Sequence, residues 1–168
     1  MRNQRGFTLI ELVIVLAIIM IVAAMSIPRL LHSRIAANEA TAVSSIRTIN
    51  SAETAYHAAF PTRGFATRLA DLGGPSPCTP GPASACLIDR LLASGRKSGY
   101  NFAAPGTTRA ANGVITGYVA GAAPQSYDQS GIRLFCSMSD AILRFSPNQG
   151  HSTLPPDAAQ CQAESLLE

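Results

Sequence analysis

The sequence predicts an α+β protein in which a long N-terminal α-helix packs on a small antiparallel β-sheet head. Three observations predict it. Residues 7–27 form an almost unbroken apolar run with one charged residue, Glu11. Residues 33–60 contain no glycine or proline and repeat apolar side chains every three or four positions. Beyond residue 60 the composition turns to Ala, Gly, Ser, Thr and Pro, with short β-like runs between turn residues.

The first element is the apolar run. Its 21 residues at about 1.5 Å each span roughly 30 Å, the thickness of a bilayer core. A secretory signal has a shorter apolar stretch followed by a small-residue cleavage site, and neither feature fits here. The run therefore reads as a membrane helix. Arg2 and Arg5 precede it, and Arg29 and Arg34 follow, so charge bias orients it only weakly. A charge at a bilayer centre costs about 2.5–3.5 kcal/mol on insertion scales, so Glu11 needs either a partner or a position at the interface from which it snorkels out.

The helical pattern continues past the run. Ile35, Ala42, Ile46, Ile49, Ala52 and Tyr56 make an amphipathic stripe, and Glu39, Arg47, Asn50, Glu53 and His57 fall largely off it. Pro61 and Gly64 end the pattern. Pro28 removes one backbone hydrogen bond and predicts a bend just past the apolar run. A helix of about 53 residues would be roughly 80 Å long, too long for the core of a small domain. The expected organisation is a membrane or core half over 7–32, an amphipathic half over 33–60, and a globular head over 61–168.

In the head, residues 63–74 are a loop with a short apolar turn, and 75–86 are rich in proline and serine. Residues 87–95 predict a short helix capped by Gly95. The runs 99–104, 114–122, 132–137 and 141–146 predict three or four antiparallel strands. Their face toward the long helix would carry Tyr100, Phe102, Tyr118, Phe135 and Phe145. The tail is expected to be a loop.

Four cysteines, Cys78, Cys86, Cys136 and Cys161, lie beyond the apolar run, and none forms a CxxC pair. With three histidines, the set does not suggest zinc. An even count beyond a membrane-targeting segment suits disulfides outside the cytoplasm. Three pairings are possible. Cys78–Cys86 with Cys136–Cys161 is favoured because each closes a segment dense in proline or glycine; four reduced thiols are the alternative.

The formal net charge of +3 is small and scattered, which does not suggest a nucleic-acid groove. Without Arg2 and Arg5 it drops to about +1, which suits self-association. His32, His57 and His151 share no motif with a nucleophile, and no phosphate loop is present, so neither catalysis nor a cofactor is expected.

These residues meet in one resemblance. The stretch R-G-F-T-L-I-E-L resembles the leader and mature start of type IV pilins and of type II secretion pseudopilins: a basic leader ending in Gly6, then Phe7, three uncharged residues and Glu11. Pro28 stands where many members place a proline in their long first helix. The strong likeness covers residues 1–60; the rest is similar only as a small sheet domain with a cysteine-closed end.

The resemblance implies a leader over 1–6, cleaved after Gly6 by a membrane prepilin peptidase, and N-methylation of Phe7 by the same processing machinery. It implies that Glu11 pairs with the Phe7 amine of a neighbouring subunit in a homo-oligomeric helical filament. The subunit would wait in the inner membrane, with its C-terminus outside the cytoplasm, until an assembly platform adds it to an extracellular or periplasm-spanning filament. The implied function is a pilus subunit for adhesion, motility or DNA uptake. A secretion pseudopilin is the alternative, and a single-pass membrane protein with an exterior binding domain is a third reading. Some pseudopilins bind calcium, and Asp128, Asp140 and Asp157 are candidates for that, but their spacing is not that of an EF-hand and solvated loop carboxylates are the better reading.

Overall fold

The structure is a computed structural model and describes residues 7–166, leaving the side chains of 25–28 and 165–166 aside. By its internal contacts the chain divides into Met1–Arg34 and Ile35–Glu168, and the helix α1 (Leu9–Ala59) runs through both. The Thr8 hydroxyl accepts from the Glu11 N–H at 3.3 Å, which satisfies one of the free donors at the helix start. The helix is continuous in backbone through residue 28. The bend expected at Pro28 falls where side chains lie outside the described residues, as does the leader with Gly6.

In the first unit the α1 side chains described are exposed on every face, because the run has no polar side to turn outward. In the second unit the helix buries Ile35, Ala42, Ile46, Ile49, Ala52 and Tyr56, the stripe read from the sequence. The buried face is wider than that stripe. Ser45, Asn50 and Glu53 lie within it, so Asn50 and Glu53, which fall off the apolar stripe, are buried all the same.

A 3₁₀ turn (Leu69–Leu72) follows, then α2 (Arg90–Ala93), shorter than the expected helix over 87–95. The Asp89 side chain caps α2 by accepting from the Leu92 N–H at 3.0 Å, and so starts the helix later than periodicity alone suggested.

The sheet contains seven strands among the described residues: β1 (Arg96–Lys97), β2 (Tyr100–Ala103), β3 (Gly106–Arg109), β4 (Ile115–Pro124), β5 (Leu134–Met138), β6 (Leu143–Ser146) and β7 (Ser165–Leu166). All the pairings are antiparallel, in the order β1-β2-β4-β5-β6-β7, with β3 beside β4. The four expected strands are β2, β4, β5 and β6. β1, β3 and β7 are additional. Ser98 and Gly99 both adopt positive φ, so two residues reverse the chain and pair β1 with β2. Pro105, which lacks an N–H, interrupts one edge of β4: β2 pairs with Gly121–Pro124 and β3 resumes along Ile115–Tyr118.

β7 forms because the tail is not all loop. It contains α3 (Ala158–Ala163), started by a reciprocal capping box between Asp157 and Gln160.

Alternation along β4 and β5 sends side chains to opposite faces. Toward α1 go Tyr118, Ala120, Ala122 and Phe135, joining Ile46, Ile49, Tyr100 and Phe102 in the main core. Phe145 is only half-buried at the rim, with the Arg133 guanidinium 5.8 Å from its ring centre. The opposite face buries Val119, Cys136 and Cys161 in a second, smaller cluster. Cys136 is bonded to Cys161 and Cys78 to Cys86.

The two disulfides differ in what they hold. Cys136 and Cys161 are fully buried and staple α3 onto β5, while Cys78 is exposed in a surface loop. Removing Cys136–Cys161 as an alanine pair should cost about 4 kcal/mol, from released loop entropy plus the lost cluster. The same change at Cys78 and Cys86 should cost less, about 2.5 kcal/mol, because the loop is shorter and no buried cluster is lost. Chemical denaturation of both variants in detergent measures the ranking, and equal losses would contradict it.

Candidate functional site

The functional surface the sequence singled out is the start of α1. Phe7 is 79% exposed and Leu9 82%. From Leu12 to Val22 the large apolar side chains stay exposed around the helix, and Leu30 and Leu31 extend the surface past the run. This helix is long and apolar enough to cross a membrane. Glu11 is the acidic residue of its first turn, where the positive end of the helix dipole favours a carboxylate. Thr8 and Glu11 have the spacing of a capping box, a signal the sequence reading passed over, and the Thr8 half of it is made.

The second set of functional side chains holds α1 to the sheet. The Asn38 amide donates to the Ser130 carbonyl at 2.8 Å. One Glu39 oxygen accepts from the N–H groups of Ile132 and Arg133 at 3.0 and 3.1 Å, and its other oxygen lies 3.8 Å from the Arg133 guanidinium. These contacts tie down the loop entering β5. Its Gly131 lies against the Tyr100 ring, where a Cβ would collide with the hydroxyl, and that hydroxyl donates to the Arg133 carbonyl at 3.0 Å.

One helical turn past the middle of this half, the Asn50 amide donates to Ser137 Oγ at 2.9 Å while Tyr118 donates to Asn50 Oδ1 at 3.1 Å. Burial pushes the Tyr118 hydroxyl up to about 12, with the nearby Glu53 charge adding to it, so it stays a donor. Glu53 itself is 0% exposed. Its Oε2 accepts from the Ala66 N–H at 2.9 Å, and its Oε1 has no hydrogen-bond partner among the described residues. Desolvation raises this carboxyl from 4.5 to about 7, and the Asp71 charge adds to the shift, while the Ala66 bond opposes it.

Two of the three carboxylates considered for calcium, Asp140 and Asp157, are engaged locally. Asp140 lies 2.7 Å from the Arg144 guanidinium, Asp157 caps α3, and Asp128 occupies a turn with positive φ. No group of three His, Cys, Asp or Glu side chains converges among the described residues.

Comparison with known proteins addresses the N-terminal surface. Residues 1–27 match the family model described as the prokaryotic N-terminal methylation motif. The chain is also 64% identical over 39 residues to the type IV wide pilus major component PilA4 of Thermus thermophilus, a stretch covering 23% of this chain and 30% of that protein. The N-terminal segment is similar to that of a type IV pilin. The pilin likeness rests on this segment, since the chain spans less than a third of its curated relative. No solved structure matches. The long helix on a small antiparallel sheet is consistent with an α+β pilin fold.

Glu53 gives the head a pH dependence with a definite sign. Its folded pKa of about 7 lies above the ordinary 4.5, so the folded state holds the proton more tightly. This group's contribution is fully favourable below about pH 4.5 and is lost as pH rises through about 7, a change of about 3 kcal/mol. Denaturant midpoints of wild type and Glu53→Gln, compared between pH 4.5 and 8, should diverge, with the variant gaining relative stability as pH rises. A difference that does not change with pH would contradict the assignment.

Proposed function

We propose that this protein is a structural subunit that polymerises into a type IV pilus. The observation that carries the reading is the start of α1: a helix apolar on all sides, exposed along its length, with one carboxylate in the first turn, within the methylation motif. Such a surface is insoluble as it stands and is satisfied by lipid before assembly and by copies of itself afterwards. The buried Cys136–Cys161 staple supports the pilus reading over that of a secretion pseudopilin, as does the name of the Thermus relative.

In this reading a prepilin peptidase of the inner membrane cuts after Gly6 and the new Phe7 amine is methylated. Residues 7–32 then serve as membrane anchor and later as filament core, 33–60 as the helix that carries the head, and 61–168 as the outer surface. Pro28 bends the helix to suit the bundle. Glu11 meets the Phe7 amine of the neighbouring subunit. A lone carboxylate in an apolar bundle is costly, whereas a pair is tolerable and sets axial register. The assembly platform and the copies of the chain are the partners, and no catalysis is part of the role.

Processing is tested by mass spectrometry of the purified subunit, which should begin at Phe7 and carry one added methyl. A terminus at Met1, or one beyond Ser26, would exclude it.

The role of Glu11 needs variants that separate charge from helix capping. Glu11→Leu and Glu11→Gln should both leave cleavage and the membrane pool intact and lower sheared filament yield by about tenfold or more, the effect of losing at least roughly 1.4 kcal/mol per subunit. Glu11→Asp should fall between them and wild type. Normal yield from Glu11→Gln would leave only the capping role, worth about 1 kcal/mol or less.

A further inference from the structure

We propose that the head of this protein has a binding site for a carboxylated sugar, in a cavity where the chain leaving α1 runs beside the β3–β4 hairpin. The cavity measures about 230 Å³ and is lined by Arg63, Arg109, Thr62, Thr67, Asn112 and Phe65, among others. Two backbone bonds bring its walls together: the Ile115 N–H donates to the Arg63 carbonyl at 2.8 Å, and the Phe65 N–H donates to the Ile115 carbonyl at 3.0 Å. The arginines, 46 positions apart in sequence, thereby line the same small space.

Charge gives the ligand its sign. No Asp or Glu lines the cavity, and neither Arg63 nor Arg109 has a carboxylate partner among the described residues. Arg68, Arg133 and Arg144, in contrast, are each paired with an acid. Arg109 is held in place by donating to the Gly113 carbonyl at 2.8 Å, which leaves its other N–H donors for a ligand. Arg63 lies close enough to the Tyr56 hydroxyl to lower its pKa, against the burial that raises it. Two guanidiniums facing one space are suited to an oxyanion, which they can grip through paired N–H donors.

The remaining lining selects a sugar over a bare ion. Thr62 and Thr67 lend hydroxyls that can donate or accept, and Asn112 keeps its amide donors while its oxygen accepts from the Val114 N–H at 3.2 Å. Phe65 contributes an aromatic wall, itself packed against Tyr118 with ring centres 4.9 Å apart. The volume is below the roughly 300–1,000 Å³ of drug-sized pockets, and suits one ring with its carboxylate. Two arginines without a basic stripe around them do not make a track for a polynucleotide.

The test uses the full chain in detergent micelles and isothermal titration with sodium glucuronate, glucose and inorganic phosphate. Glucuronate should bind about tenfold more tightly than glucose and weaken several-fold between 0.05 and 0.5 M salt. Arg63→Gln and Arg109→Gln should each lower glucuronate affinity about fivefold or more, with thermal unfolding unchanged. Equal binding of glucose and glucuronate would overturn the proposal without any variant. Phosphate binding more tightly than glucuronate would overturn the sugar and leave an inorganic anion in its place. Unchanged glucuronate affinity in the double variant would overturn the site.

Discussion

The head hangs on hydrogen bonds from polar side chains of one helix, and most else in its arrangement follows from them. Apolar packing is non-directional, so Ile46, Ile49 and Ala52 would tolerate a helix rotated or shifted by part of a turn. Asn38, Glu39, Asn50 and Glu53 do not tolerate it, because each reaches a specific atom on a different segment. Asn38 and Glu39 hold the loop entering β5, Asn50 ties β4 to β5 through Tyr118 and Ser137, and Glu53 holds the backbone at Ala66. Burying such groups unpaired would cost several kcal/mol, so they penalise every other register. Glu53 shows the limit of the device: one oxygen has no hydrogen-bond partner among the described residues, and burial pushes its carboxyl up to about 7.

The second constraint is a shortage of large side chains. The chain has no Trp and is rich in Ala and Gly, so β4 packs closely on both sides. Ala120 and Ala122 face α1, and a Cβ on Gly121 would come within 3.0 Å of the Pro155–Pro156 segment on the other face. A thin layer of this kind buries little apolar area for its size. The Cys136–Cys161 bond compensates by stapling α3 to the sheet, where a larger domain would lay down a second packed helix.

These two constraints separate the tasks within α1. Its second half has one buried face and can stand in water once the sheet covers it. Its first half has no polar face, so no folding of this chain's own head residues makes it soluble. The requirement for another apolar environment is thus written into the helix, and it is the physical basis of the pilin reading.

The sequence by itself determined the elements whose signals are local. The apolar run, the stripe from Ile35 to Tyr56 and the four main strands depend on side-chain periodicity, which the backbone geometry translates directly into buried faces. The capping boxes at Thr8 and at Asp157–Gln160 were also legible, though they were not read. The remainder was decided by tertiary structure. Nothing near Asn50 or Glu53 marks them as buried, because their partners lie on other elements and a polar side chain reads as exposed until the partner is found. β7 is too short to signal alone and β3, Gly106–Arg109, carries no apolar alternation, so both exist because β6 and β4 offer them an edge. Arg63 and Arg109 share a cavity only because Ile115 bonds back to the chain at Arg63 and Phe65. Proximity of that kind follows from strand register, and register is a property of the folded sheet rather than of any one segment.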